Sequence, residues 1–182
     1  MFKNLLIAAL IIMGVFLYTN PKNTSESSSE SDSKNIIESM EKKADENGPS
    51  LDISGQGIQK LPSYVLSKTN LEVLDISDNS LTGALPSEIG KLRNLRVLKA
   101  GNNDMTGVPT EVGQLQKLEI LDLSNNQLTG LPNELGNLKN LKTLNLSGND
   151  YAEQDLEAIK QGLSPISRLF YNSRIKRTPR MT

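Results

Sequence analysis

The polar side chains that could act together in this chain form a column in the sequence. Asp52, Asp75, Lys99, Asp122 and Asn145 recur at steps of 23 or 24 residues. On adjacent parallel strands, neighbours in such a column stand ~4.8 Å apart. Three aspartates around one lysine suit a basic or extended peptide, or a cation; they resemble a paired-carboxylate catalytic site in spacing only. With no histidine and no cysteine, the chain lacks the commonest acid–base group, a thiol nucleophile, disulfides and the usual zinc ligand sets. No catalytic residue, metal or cofactor is expected. The alternative reading is a solvated sheet face of alternating charge.

The frame that carries the column is a repeat. Leu118, Leu121, Leu123, Asn126 and Leu128 follow the spacing L-x-x-L-x-L-x-x-N-x-L, and Leu131-Pro132 closes the phrase. The same frame is filled by Leu71, Leu74, Ile76, Asn79 and Leu81, then by Leu95, Leu98, Ala100, Asn103 and Met105, and last by Leu141, Leu144, Leu146, Asn149 and Tyr151. A weaker first copy has Leu51, Ile53, Gln56 and Ile58. Coils therefore begin at 48, 71, 95, 118 and 141, with Ala84 as the extra residue of the longer one. In each, x-L-x-L-x reads as a short parallel strand with alternate leucines inward. The second half supplies the other wall, for example Val108, Val112 and Leu115. No coil buries its leucines alone, so stacking must make one continuous core. Asn79, Asn103, Asn126 and Asn149 read as a structural ladder, their amides pairing with backbone of their own and the next coil.

Over 48–163 the chain resembles the leucine-rich repeat family. The stretch SDNSLTGALPSEIGKLRNL looks like a repeat subtype found in plant receptor-kinase ectodomains and bacterial surface proteins. The resemblance implies an α/β solenoid, a short horseshoe with a parallel sheet on the concave side and irregular or short helical segments outside. It also implies a protein or peptide bound on that sheet, without enzymatic activity. The cysteine-paired caps of many extracellular members are missing, which favours a microbial surface protein.

On the sheet, the positions expected to face a ligand are Asp52, Val73, Asp75, Val97, Lys99, Ile120, Asp122, Thr143 and Asn145. No aromatic residue interrupts these columns. Five strands offer about 300 Å², below the ~800 Å² per partner of a standard interface. Tight binding would need flanks, ends or several tethered copies.

The ends are of a different kind. Residues 1–19 hold an apolar run, Leu5 to Tyr18, behind Lys3, which reads as a membrane anchor or an export signal. Its uncharged stretch reaches about 25 Å as helix, just short of a bilayer core. No small-residue cleavage site follows closely, which favours an uncleaved single-pass anchor with the repeats on the extracytoplasmic side. Residues 20–33 are serine-rich and acidic, a disordered linker. Residues 34–47 have helical spacing and suit an N-terminal capping helix. Asp150 to Gly162 reads as a helix closing the last coil, with Asp150 as its N-cap. In 164–182, Ile166 to Tyr171 reads as a final strand before a basic tail. The net charge of -1 gives no global attraction to nucleic acid. Oligomeric state is not encoded in any pattern here, and self-assembly at a cell surface is the alternative function.

Overall fold

The computed structural model describes residues 49–171. The expected anchor, serine-rich linker and capping helix, and the basic run after Tyr171, lie outside the described residues. Among the described residues no helix is long and apolar enough to cross a membrane.

Each repeat lays down one strand: β1 (Ser50–Asp52), β2 (Val73–Asp75), β4 (Val97–Lys99), β6 (Ile120–Asp122) and β7 (Thr143–Asn145). With β8 (Arg168–Phe170) they form a six-stranded parallel sheet in the order β1-β2-β4-β6-β7-β8. Strand pairing sets Leu51, Leu74, Leu98, Leu121, Leu144 and Leu169 in one row. The four central leucines of that row have no exposed surface. β8 lies within the strand expected from Ile166 to Tyr171 and continues the row with half-buried Leu169.

The opposite wall is made of short helices. Single-turn 3-10 helices occupy Ser87–Lys91, Thr110–Gln114 and Asn133–Asn137, each after a proline in extended conformation. An α-turn, α1 (Ser63–Leu66), takes this place in the first coil. Ile89, Val112 and Leu135 point inward from the 3-10 helices, and Leu92, Leu115 and Leu138 follow them into the core. The helices must stack at the spacing the strands impose, and the glycines at 90, 113 and 136 make this possible. A Cβ on Gly113 would lie 2.3 Å from the Glu134 carbonyl oxygen, and one on Gly90 would lie 2.8 Å from Glu111 Cβ. Gly113→Ala should therefore destabilise by about 1–3 kcal/mol through overpacking. At Gly130 an added Cβ meets nothing closer than 3.7 Å, so Gly130→Ala is the control in urea denaturation. Equal midpoints for the two variants would refute the stacking constraint.

A second, two-stranded parallel sheet joins β3 (Thr82–Ala84) to β5 (Asp104–Gly107). Its register shifts between Gly83 and Ala84, where the coil that starts at Leu71 carries its extra residue. This sheet is additional to the single sheet that the repeat frame implies.

The last coil ends in α2 (Glu153–Gly162), packed on the 3-10 helix at 133–137. Asp150 is not its N-cap. Ala152 stands there without a side-chain cap, and the Asp150 N–H donates instead to the Leu128 carbonyl at 3.0 Å, bonding coil to coil. Glu153 and Asp155 in the first turn favour the helix N-terminus electrostatically. Leu156 and Ile159 close the core.

Tyr151 fills the inward position held by Leu81, Met105 and Leu128 in earlier coils. Its hydroxyl is buried and has no hydrogen-bond partner among the described residues. Burial, with Tyr171 nearby, pushes its pKa up to about 12. A folded pKa above the unfolded one means that this residue's contribution to stability is intact below pH ~10 and is lost as pH rises toward 12. Tyr151→Phe should stabilise by about 1 kcal/mol at neutral pH, because an unsatisfied hydroxyl is removed, and should flatten the stability profile between pH 10 and 12. Destabilisation by the substitution would show that the hydroxyl has a partner.

Candidate binding face

The face of the sheet turned from the core carries two rows, and a third runs along its flank just before the strands; the structure gives each a different role. In the first row, the expected ligand contacts Val97, Ile120 and Thr143 are closed off, at 1%, 1% and 0% exposure. Val73, half-buried, joins Val97 and Ile120 in a small apolar strip separate from the main core. Neighbouring strands crowd this row from both sides, and long charged side chains flank it, their apolar stems able to cover it. β8 adds cover at the end by pairing Thr143 with Arg168. These three residues are corrected from contact positions to supports.

The second row holds Asp52, Asp75, Lys99, Asp122 and Asn145. Asp75 Oδ1 accepts from the backbone N–H of Ser77 at 3.0 Å and from its Oγ at 2.6 Å. The same pair of bonds joins Asp52 to Ser54, Asp122 to Ser124 and Asn145 to Ser147. Such side-chain-to-backbone bonds fix each acid or amide in place. The third coil departs twice: Lys99 has no acceptor to offer, and the partner serine becomes Gly101. Lys99 reaches Asp75 Oδ2 at 3.0 Å, while a Cβ on Gly101 would stand 2.9 Å from Ser124 Oγ and 3.3 Å from Asp122 Oδ1. Asn145 is 8% exposed and Asp52 lies open at the first strand. The solvent-facing part of this row thus narrows to Asp52, Asp75, Lys99 and Asp122. The sequence shows Ser54, Ser77, Gly101, Ser124 and Ser147 as a further column of the sheet face, with D-x-S in three coils; that each serine binds the residue two before it is visible only in the structure.

The third row, Glu72, Arg96, Glu119 and Lys142, was missed, because its charges alternate between coils instead of repeating. Arg96 Nε reaches Glu119 at 2.9 Å and its Nη1 reaches Glu72 at 3.5 Å, while Lys142 also binds Glu119. Burial pulls the Glu119 pKa upward, but hydrogen bonds and charge from Lys142 and Arg96 outweigh it and leave the group below its ordinary value.

Behind the face, the side-chain amides of the four asparagines bond to backbone of their own coil and of the preceding one, where bonding to the next coil was expected. Asn126 Oδ1 accepts from Met105 N–H at 3.0 Å, and its Nδ2 donates to the carbonyls of Ala100, Leu123 and Ser124. Asn103 and Asn149 repeat this arrangement. Asn79 Oδ1 takes two donors, the N–H groups of Gln56 and Ile58, so the first coil joins the ladder through its backbone. Just before each ladder position the chain turns left-handed, at Asp78, Asn102, Asn125 and Gly148 with φ of 55°, 54°, 51° and 73°. Asn102 donates to Asp78 and Asn125 to Asn102, both at 2.8 Å, a second and exposed ladder of side chains.

This period, with its sheet, inward leucines and asparagine bonds, matches the family model described as a leucine-rich repeat region, over residues 50–172. The chain belongs to the leucine-rich repeat family. Similar solved structures include a leucine-rich repeat protein of Leptospira interrogans, 41% identical with a TM-score of 0.57, covering 62% of this chain and 28% of that one. Another is the Arabidopsis receptor kinase HAESA in complex with the peptide hormone IDA and the co-receptor SERK1, 25% identical with a TM-score of 0.53, covering 67% of this chain and 25% of that one. Among curated proteins, the CCR4-Not complex 3'-5'-exoribonuclease subunit Ccr4 of Neurospora crassa is 52% identical over 52 residues, 29% of this chain. This leucine-rich repeat chain spans only 6% of the Neurospora protein's length and 28% of the Leptospira protein's.

Proposed function

We propose that this protein is a non-enzymatic binding module that presents the row Asp52, Asp75, Lys99 and Asp122 to an extended, basic segment of a protein or peptide. The observation that carries the reading is the preordering of that row. Each aspartate is fixed by its serine or by Lys99 before any partner arrives, so binding freezes little side-chain motion. The similar receptor kinase in complex with a peptide hormone and a co-receptor supports a protein or peptide as the class of partner. The absence of histidine and cysteine from the sequence supports a role without catalysis. The apolar run at residues 1–19 supports tethering to a membrane with the repeats outside, where a single short sheet gains from several copies held together.

Capture from the surface fraction of the native host, with wild-type full-length protein and with Asp75→Lys/Asp122→Lys, tests the reading. A partner retained by wild type should be lost from the double variant at least tenfold, while Glu111→Lys on the opposite wall should retain it. Equal capture by all three would place the binding surface elsewhere.

A further inference from the structure

One lateral flank of the solenoid, where each coil returns to its strand, is strongly basic. Lys68, Arg93, Arg96, Lys117, Lys139 and Lys142 lie along it, against the carboxylates Glu72 and Glu119. Both carboxylates are already engaged by Arg96, and Glu119 by Lys142 as well. Three of the four remaining cations are held by neutral acceptors: Lys117 Nζ by Asn94 Oδ1 at 2.8 Å, Arg93 by Gln114, and Lys139 by the carbonyls of Gly136 and Gly162. Arg96, Lys117, Glu119, Asn140 and Lys142 line a shallow recess on this flank. Glu88 and Glu111 line a neighbouring recess with Arg93 and Lys91, so among the described residues the flank's cations outnumber its carboxylates, although the chain as a whole has a net charge of -1.

The chain enters the fold in the same row. The Pro49 carbonyl accepts from the N–H of Glu72, the Glu72 carbonyl from Arg96, that of Arg96 from Glu119, and that of Glu119 from Lys142. Pro49 is thus the first member of the row whose later members are the flank's charged residues. Upstream lies the sequence SESSSESD, residues 25–32, which holds Glu26, Glu30 and Asp32 and no base. Between Asp32 and Pro49, the expected capping helix over 34–47 would reach about 21 Å at ~1.5 Å per residue, and a flexible chain of the same length about 23 Å root-mean-square. Four strand spacings, from Pro49 to Lys142, cover ~19 Å.

We infer that the basic flank is the docking surface of the chain's own acidic segment, residues 25–32. Each exposed ion pair in such a contact is weak, but the connecting chain holds the segment at an effective concentration in the millimolar range, and several weak pairs act together. The docked segment covers the recess at Lys117 and Asn140 and is displaced by salt. This inference concerns a flank and does not depend on what the sheet face binds.

The cysteine-free chain allows a single label. A nitroxide on Ser28→Cys in the full-length protein, held in zwitterionic micelles, should broaden the amide signals of Lys117 and Asn140 at least twofold more than those of Asp104 and Gln127 on the opposite flank. The difference should vanish between ~0.01 M and ~1 M salt, as the screening length falls from ~30 Å to ~3 Å. It should also vanish in Glu26→Lys/Glu30→Lys/Asp32→Lys, which leaves the repeats untouched. Equal broadening of both flanks at low salt overturns the inference, as does a difference that survives salt or charge reversal. Docking of the segment on the basic residues 174–180 would leave the Lys117 and Asn140 signals sharp and would overturn it too.

Discussion

Leu121→Ala should lower the free energy of unfolding by about 2–5 kcal/mol, the range for truncating a fully buried leucine that leaves a cavity. Leu121 has no exposed surface and sits between Leu98 and Leu144 in the row of strand partners. Its neighbours cannot collapse into the space, because strand pairing on both sides and the asparagine bonds behind it hold the backbone at a fixed spacing. In a solenoid each coil is stable through its neighbours, so a cavity in the fourth coil weakens two interfaces together. Leu51→Ala is the informative comparison. Leu51 belongs to the same row but is only half-buried in the first strand, and its truncation should cost clearly less. Urea titration followed by circular dichroism measures both. A loss below about 0.5 kcal/mol at Leu121, within the range of ordinary surface substitutions, would contradict the inward frame.

That frame was legible in the sequence because it rests on a residue type repeated at a fixed period. Leucines in step mark inward positions, and the parallel sheet follows from stacking them. Three kinds of feature escaped. The stacking glycines at 90, 113 and 136 repeat in step, but glycine fits many roles, and only the distance to the next coil shows that a Cβ would collide. The β3–β5 sheet has a register shift between Gly83 and Ala84; the longer period marks the extra residue there, but not that the two flanking segments pair as strands. The burial of Val97 and Ile120 depends on side chains from adjacent coils, whereas strand alternation tells only which face a residue is on. Asp150 failed as a helix cap because the helix begins at Glu153, which puts Ala152 at the cap position and Asp150 two residues too early. The asparagines were readable as ladder residues from their type and period. The direction of their bonding, back toward the preceding coil, required the geometry of the turn.

Asn126→Ala should cost about 2–4 kcal/mol, because one substitution strands the Met105 N–H and the carbonyls of Ala100, Leu123 and Ser124, and each unmet buried group costs about 1–3 kcal/mol before water relieves part of it. Asn126 is 7% exposed, so that relief is limited. The adjacent residue sets the contrast, but alanine is the wrong probe there. Asn125 stands at φ 51° and donates to Asn102, so Asn125→Ala adds about 1–2 kcal/mol of left-handed backbone strain unrelated to any ladder. Asn125→Gly removes the side chain and keeps the turn, and should cost well under half as much as Asn126→Ala. Asn126→Asp then separates acceptor from donor. It retains an oxygen for Met105 but sets a carboxylate against three carbonyls, which favours the protonated form. Its folded pKa is therefore raised, and its stability should fall as pH rises through the carboxylate range, whereas the loss in Asn126→Ala should not vary there. If Asn125→Gly proves as damaging as Asn126→Ala, or if Asn126→Asp shows no such dependence, the inner asparagine does not hold the coils together by the bonds described.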